Sequence, residues 1–163
     1  MSKIWIGIDP GKKGAIAHIS DHEVCVYPMM LTVYDRLNGK GILNLLTNIV
    51  RSFEESFCLI EKSQAVRGQG IVSAFNYGVS YGIILACVQS SNIPFQEISS
   101  MRWKKEFNLL KKEKEDSVNT AIQLFPNITD RLRRPNKKDP SKFVIEDGSA
   151  EALLISEYAR RKM

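Results

Sequence analysis

Lys3-Ile4-Trp5-Ile6-Gly7-Ile8-Asp9-Pro10-Gly11 opens the chain with a run of β-formers that ends on an acid and a turn. Extended backbone suits the Ile-rich half, and Pro-Gly stops it. Gly14 to Ile19 and Glu23 to Tyr27 are further short β-like runs separated by polar turns, so the chain begins as a three-stranded meander. From Ile42 the apolar residues Leu45, Leu46, Ile49, Val50 and Phe53 recur at helical spacing. Phe57 to Ile60 is too short for a helix and reads as a buried fourth strand ending at Glu61. A helix over Ile71 to Ser90, a fifth strand over Phe95 to Ile98, and helices over Ser117 to Leu124 and Gly148 to Arg161 complete the pattern. The order β-β-β-α-β-α-β-α-α predicts an α/β fold, a mixed five-stranded sheet flanked by helices. The Pro-, Lys- and Arg-rich stretch from Pro126 to Lys142 reads as a surface loop.

The chain has 163 residues, 44% apolar and 25% charged, which suits one globular domain over 1–163. No uninterrupted apolar run reaches the roughly 18 residues of a membrane span, and no secretory signal pattern opens the chain. The expectation is a cytoplasmic protein with no membrane partner. Cys25, Cys58 and Cys87 are odd in number and lie in apolar stretches, so they read as buried thiols without a disulfide or metal knuckle. His18 and His22 flank an exposed-looking turn, which argues against histidine chemistry.

The carboxylates are more informative. Asp9 and Glu61 each end an apolar strand, where an acid is costly unless positive charge meets it. Asp147 and Glu151 are four apart at the start of the last helix and share one face. Converging oxygen ligands are what Mg²⁺ or Mn²⁺ requires, and two such ions can drive phosphodiester hydrolysis. Simpler roles are open to each: Asp9 as a turn starter, Asp147 as a helix cap, Glu151 as a surface acid. Glu146 is an available neighbour.

The net charge of +5 is modest but clustered. Arg102, Lys104, Lys105, Lys111, Lys112 and Lys114 form one group, and Arg131, Arg133, Arg134, Lys137, Lys138 and Lys142 another. With Lys12, Lys13, Lys62, Gln64 and Arg67 beside the two strand-end acids, they predict contacts to nucleic-acid phosphates. Solvated surface is the alternative. Ala74, Gly78, Gly82 and Ala86 make a smooth stripe along the second helix, either for a second subunit or for the chain's own sheet.

Ile6-Gly7-Ile8-Asp9-Pro10-Gly11 with Gly14-Ala15-Ile16-Ala17 resembles the opening of RuvC-type Holliday junction resolvases, bacterial or phage-encoded. Leu59-Ile60-Glu61-Lys62 resembles their second acidic strand, and Gly148-Ser149-Ala150-Glu151-Ala152-Leu153-Leu154-Ile155 their last helix. Trp103-Lys104-Lys105, Lys114-Glu115-Asp116-Ser117 and Leu124-Phe125-Pro126 follow the family pattern between them. The resemblance implies an RNase H-like nuclease that dimerises and nicks branched DNA, leaving 5′-phosphate and 3′-hydroxyl ends. It also implies a site of two Mg²⁺ ions held by Asp9, Glu61, Glu151 and Asp147. Many members place the companion acid where this chain has Gly148. A catalytic lysine is implied too, for which Lys114 is the candidate. The corresponding loop of relatives carries an aromatic into the junction; Ser63 to Gly70 has none. A non-catalytic DNA-binding relative and an actin-like ATP-binding domain are the competing readings; the latter needs a second half that 163 residues do not supply.

Overall fold

The computed structural model describes residues 2–64 and 68–163. Its elements are β1 (Lys3–Asp9), β2 (Ala15–Ser20), β3 (Val24–Pro28), α1 (Gly39–Val50), β4 (Glu55–Glu61), α2 (Ile71–Ser90) and β5 (Phe95–Ile98). There follow α3 (Ser100–Glu106), α4 (Lys114–Leu124), α5 (Thr129–Leu132), β6 (Arg133–Pro135), β7 (Phe143–Ile145) and α6 (Asp147–Lys162). The expected mixed sheet is present, in the order β3-β2-β1-β4-β5. β1, β2 and β3 pair antiparallel, whereas β1, β4 and β5 run parallel.

Alternation along β1 sorts the two faces. Ile4, Ile6 and Ile8 join Cys58 and Ile60 of β4 in one core, packed against Ile42 and Leu46 of α1 and Ile84 and Val88 of α2. The opposite face, with Ala15, Ala17 and Leu59, packs against Leu153, Leu154 and Ala159 of α6 and Val118 of α4. Helix α6 lies so close to β1 that a Cβ on Gly7 would overlap the backbone of Ala152 and Ser156. The Ser156 hydroxyl donates to the Trp5 carbonyl at 2.7 Å, fixing that contact.

Several expectations are corrected. The presumed surface loop at Pro126 to Lys142 begins with a 3₁₀ turn at Pro126–Ile128, runs through α5 and forms a short hairpin, with Arg133 opposite Ile145 and Pro135 opposite Phe143. Its buried anchors, Ile128 and Leu132, are too far apart to show strand or helix periodicity. Helix α3 was not expected, because one apolar residue, Trp103, supports most of its burial. Helix α4 starts at Lys114 and not Ser117, since Glu113 and Asp116 form a reciprocal capping box. Helix α1 starts and stops three residues early, capped by the Asn38 side chain on Gly41 N–H. His18 is buried, not at an exposed turn: it points to the Ile16 side of β2, stacks on Tyr27, and burial lowers its pKa. Cys58 and Cys87 are buried as expected, but Cys25 on edge strand β3 is only half-buried.

Helix α2 also departs from the sequence reading. It carries no charged residue, and among the described residues it is the one helix long and apolar enough, by length and composition, to cross a membrane. Counting uninterrupted apolar runs overlooked it because Ser, Asn and Gly are interspersed. Ser80, Ile84, Cys87 and Val88 are buried, while Ile71, Val72, Phe75 and Val79 are exposed. Among the described residues nothing lies within 4 Å of a Cβ placed on Gly78 or Gly82. The small-residue stripe therefore does not pack on this chain's own sheet.

Candidate active site

Register brings the first two acids together. Ile8 pairs with Ile60 in the parallel β1–β4 ladder, so Asp9 and Glu61 end neighbouring strands at the same edge. Both share the parity of Gly7 and Leu59 and so face α6. The first turn of α6 carries Asp147 and, one turn on, Glu151. Gly148 between them lies against the Lys13 carbonyl, which a Cβ would overlap. A side chain there would force the helix start or the Lys13 carbonyl to move, and the acid of this turn stands one residue earlier, at Asp147.

The charges interact strongly. Asp9's pKa is raised well above the usual carboxylate value, first by burial and then by repulsion from Glu151, Glu61 and Asp147. Lys104 opposes that shift. Burial also raises Glu61, against a hydrogen bond from Trp103. The indole N–H of Trp103 donates to Glu61 Oε2 at 2.7 Å. Lys104 Nζ lies 2.9 Å from Glu151 Oε1, and Lys114 Nζ donates to Asp147 Oδ2 at 2.5 Å. That bond and the Asp147 charge raise the Lys114 pKa, with Glu151 and Asp9 adding to it. Glu146, by contrast, accepts from Arg134 at 3.0 Å.

The acids predicted to act together, Asp9, Glu61, Asp147 and Glu151, thus form one electrostatic cluster with Lys114 beside it. Among the described residues no three of them stand close enough to form a finished cation cage. Their chemistry nonetheless fits a hard divalent ion: the donors are all carboxylate oxygens, and Asp9 is held where uncompensated negative charge is unfavourable. Sequence reasoning placed Lys104 among phosphate-binding residues and gave Trp103 no role. A lone tryptophan in a polar segment was the available signal, because a buried indole N–H must find a partner.

The other basic candidates are spread along the same edge and beyond. Lys12 and Lys13 lie on the turn after Asp9, and Lys12 pairs with Asp35 at 2.5 Å. Lys62 and Gln64 are exposed just after Glu61, and Gln64 lines a cleft with Glu61, Tyr77 and Ser100. Lys105, Lys111 and Lys112 are exposed around the α3–α4 turn, and Lys137 and Lys138 at the β6–β7 tip. Arg133 is turned onto Glu115 and Asn119, and Arg134 onto Glu146. Arg67 lies outside the described residues.

The fold has counterparts among solved structures. Thermus thermophilus RuvC aligns over 97% of this chain and 95% of its own, with a TM-score of 0.57 and 13% identity. The fold is that of RuvC. T. thermophilus RuvC in complex with a Holliday junction substrate matches with a TM-score of 0.57 at 13% identity, over 98% of this chain and 95% of that one. The yeast mitochondrial Holliday junction resolvase Ydc2 covers 96% of this chain and 77% of its own, with a TM-score of 0.50 and 16% identity. No protein-family model and no curated protein sequence matches the chain.

Asp9's environment predicts a sign for stability. With its folded pKa above its unfolded value, the folded state binds the proton more tightly, so stability falls as pH rises between the two values. Above the folded value the full destabilisation persists. In EDTA at pH 7, Asp9→Asn should therefore raise stability, on the order of 0.5–2 kcal/mol. The difference should vanish as pH falls to about 4. Thermal unfolding across that range measures it, and a less stable variant at pH 7 would contradict the electrostatic reading.

Proposed function

We propose that this chain is a divalent-metal-dependent endonuclease that resolves four-way DNA junctions. The observation that carries the reading is the meeting of Asp9, Glu61, Asp147 and Glu151, from three separate elements, with Lys104 and Lys114 at one sheet edge. Structural likeness to RuvC over nearly the whole chain supports it. Asp9, Glu61, Asp147 and Glu151 would hold Mg²⁺, with Mn²⁺ as a substitute and two ions as the proposed complement. When bound, such ions supply Lewis acidity toward a phosphoryl oxygen and a water acidic enough to attack phosphorus.

The chain's own residues supply the rest. Lys114 is the proposed catalytic lysine: it is exposed, tethered only at its ammonium end, and can exchange Asp147 for a phosphate oxygen that gains charge. Lys104 neutralises Glu151 in the absence of substrate and is the second such cation. Lys12, Lys13, Lys62, Lys105, Lys111, Lys112, Lys137 and Lys138 contact the phosphates of the DNA arms, which gives affinity without a base code. Gln64, beside Glu61, is positioned for the strand nearest the cut. Hydrolysis leaves a 5′-phosphate and a 3′-hydroxyl.

The partner surface is the exposed face of α2. An uncharged face carrying Val72, Phe75 and Val79, with open space over Gly78 and Gly82, lets an identical helix approach closely. A two-fold homodimer would set two active sites on a two-fold junction.

In Mg²⁺, the wild type should nick a synthetic four-way junction at opposed strands, in preference to forks and flaps. Asp9→Asn should cut at least 10³-fold more slowly, on the order expected when a metal ligand is lost, yet bind the junction as tightly. Cleavage by the variant at the wild-type rate would remove Asp9 from the chemistry; ATP hydrolysis without cutting would favour the actin-like reading.

Gly82→Glu should yield folded monomers in sedimentation, since the position is open within one chain. An unchanged dimer would place the interface elsewhere.

A further inference from the structure

The two tryptophans are treated differently by the fold. Trp5 Nε1 is buried without a hydrogen-bond partner among the described residues, while Trp103, fully buried in α3, directs its only polar atom to Glu61. The donor is neutral, which matters at this edge. A lysine on Glu61 would cancel the charge a cation needs, whereas an N–H holds one oxygen and leaves the carboxylate anionic. The ring is also fully buried, in the α6-side core that includes Leu59 and Leu153. Lys104 Nζ lies over the same ring, 5.1 Å from its centroid, on its way to Glu151. Helix α3 thus presents two adjacent side chains to two acids, one neutral and fully buried, one charged and partly exposed.

We propose that Trp103 is a positioning residue, holding Glu61 by one oxygen in a fixed orientation while leaving its charge and its second oxygen to a divalent cation. The inference rests on the reading of this edge as a cation site. Trp103 would touch neither DNA nor metal and would act through Glu61 alone. Hydrogen-bond partners of metal-binding carboxylates commonly set affinity, and their loss typically costs 10–100-fold.

The test compares wild type with Trp103→Phe, which keeps an aromatic ring and deletes the N–H. Thermal unfolding is followed without DNA across Mg²⁺ and Mn²⁺ concentrations, and junction cleavage across the same Mg²⁺ range. In the variant, the concentration giving half the metal-induced stabilisation should rise roughly 10-fold or more, and the half-maximal concentration for cleavage should rise with it. If stability without metal falls but both concentrations stay at wild-type values, Trp103 serves packing alone and the inference is overturned. Should Trp103→Phe fail to fold, Trp5→Phe leaves Trp103 as the single tryptophan. Its emission should then change over the same Mg²⁺ range that stabilises the protein; a constant emission overturns the inference. If neither ion stabilises the wild type, the cation reading itself fails, and this inference falls with it.

Discussion

The candidate site depends on the backbone of α6 lying directly on β1. At Gly7 there is no room for a side chain beneath Ala152 and Ser156, and the Ser156 hydroxyl ties the helix to the Trp5 carbonyl. That contact fixes how far α6 stands from the sheet. Two residues beyond Gly7, Asp9 emerges on the same face, and the first two turns of α6 deliver Asp147 and Glu151 toward it. Gly148 repeats the device at the helix start, lying on the Lys13 carbonyl where a side chain would wedge the helix away. Close packing therefore sets the distance between acids that would otherwise separate.

Burying Asp9 and holding like charges beside it has an electrostatic cost, visible in its raised pKa. The chain offsets part of it with Lys104 on Glu151 and Lys114 on Asp147. Both lysines come from the α3–α4 region, on the side of the sheet that α6 covers. Long cations are suited to this compensation, since each reaches its acid from a partly exposed position. Among the described residues Glu61 has no ion-pair partner of its own and is held by a neutral indole, with Lys104 acting on its charge only at longer range. The site thus combines acids gathered at one sheet edge with cations reaching them from α3 and α4.

Much of this was legible in the sequence. The Ile-rich strand ending at Asp9 and the buried run ending at Glu61 carry strong period and turn signals, and the boundaries of α2 and β5 follow from Ser90, Asn92 and Pro94. Pairing of the two strand ends required only that β1 and β4 be neighbours. Less legible were elements held by single long-range contacts. Helix α3 rests on Trp103, and the β6–β7 hairpin has three-residue strands, too short for any periodic pattern. Lys104 looked like one of a row of surface cations because side-chain direction on a seven-residue helix cannot be read before the helix is recognised. The burial of His18 was hidden by its place near a polar turn.

On the proposed reading, Asp9, Glu61, Asp147 and Glu151 together hold a divalent cation. Crystals of the wild-type protein soaked in Mn²⁺ and measured at the manganese absorption edge test it most directly. Anomalous density should appear in bonding contact with oxygens of Asp9, Glu61 and the acids of α6, with Lys104 and Lys114 displaced from Glu151 and Asp147. Saturating Mn²⁺ that leaves no density there and both lysine pairs intact would contradict it.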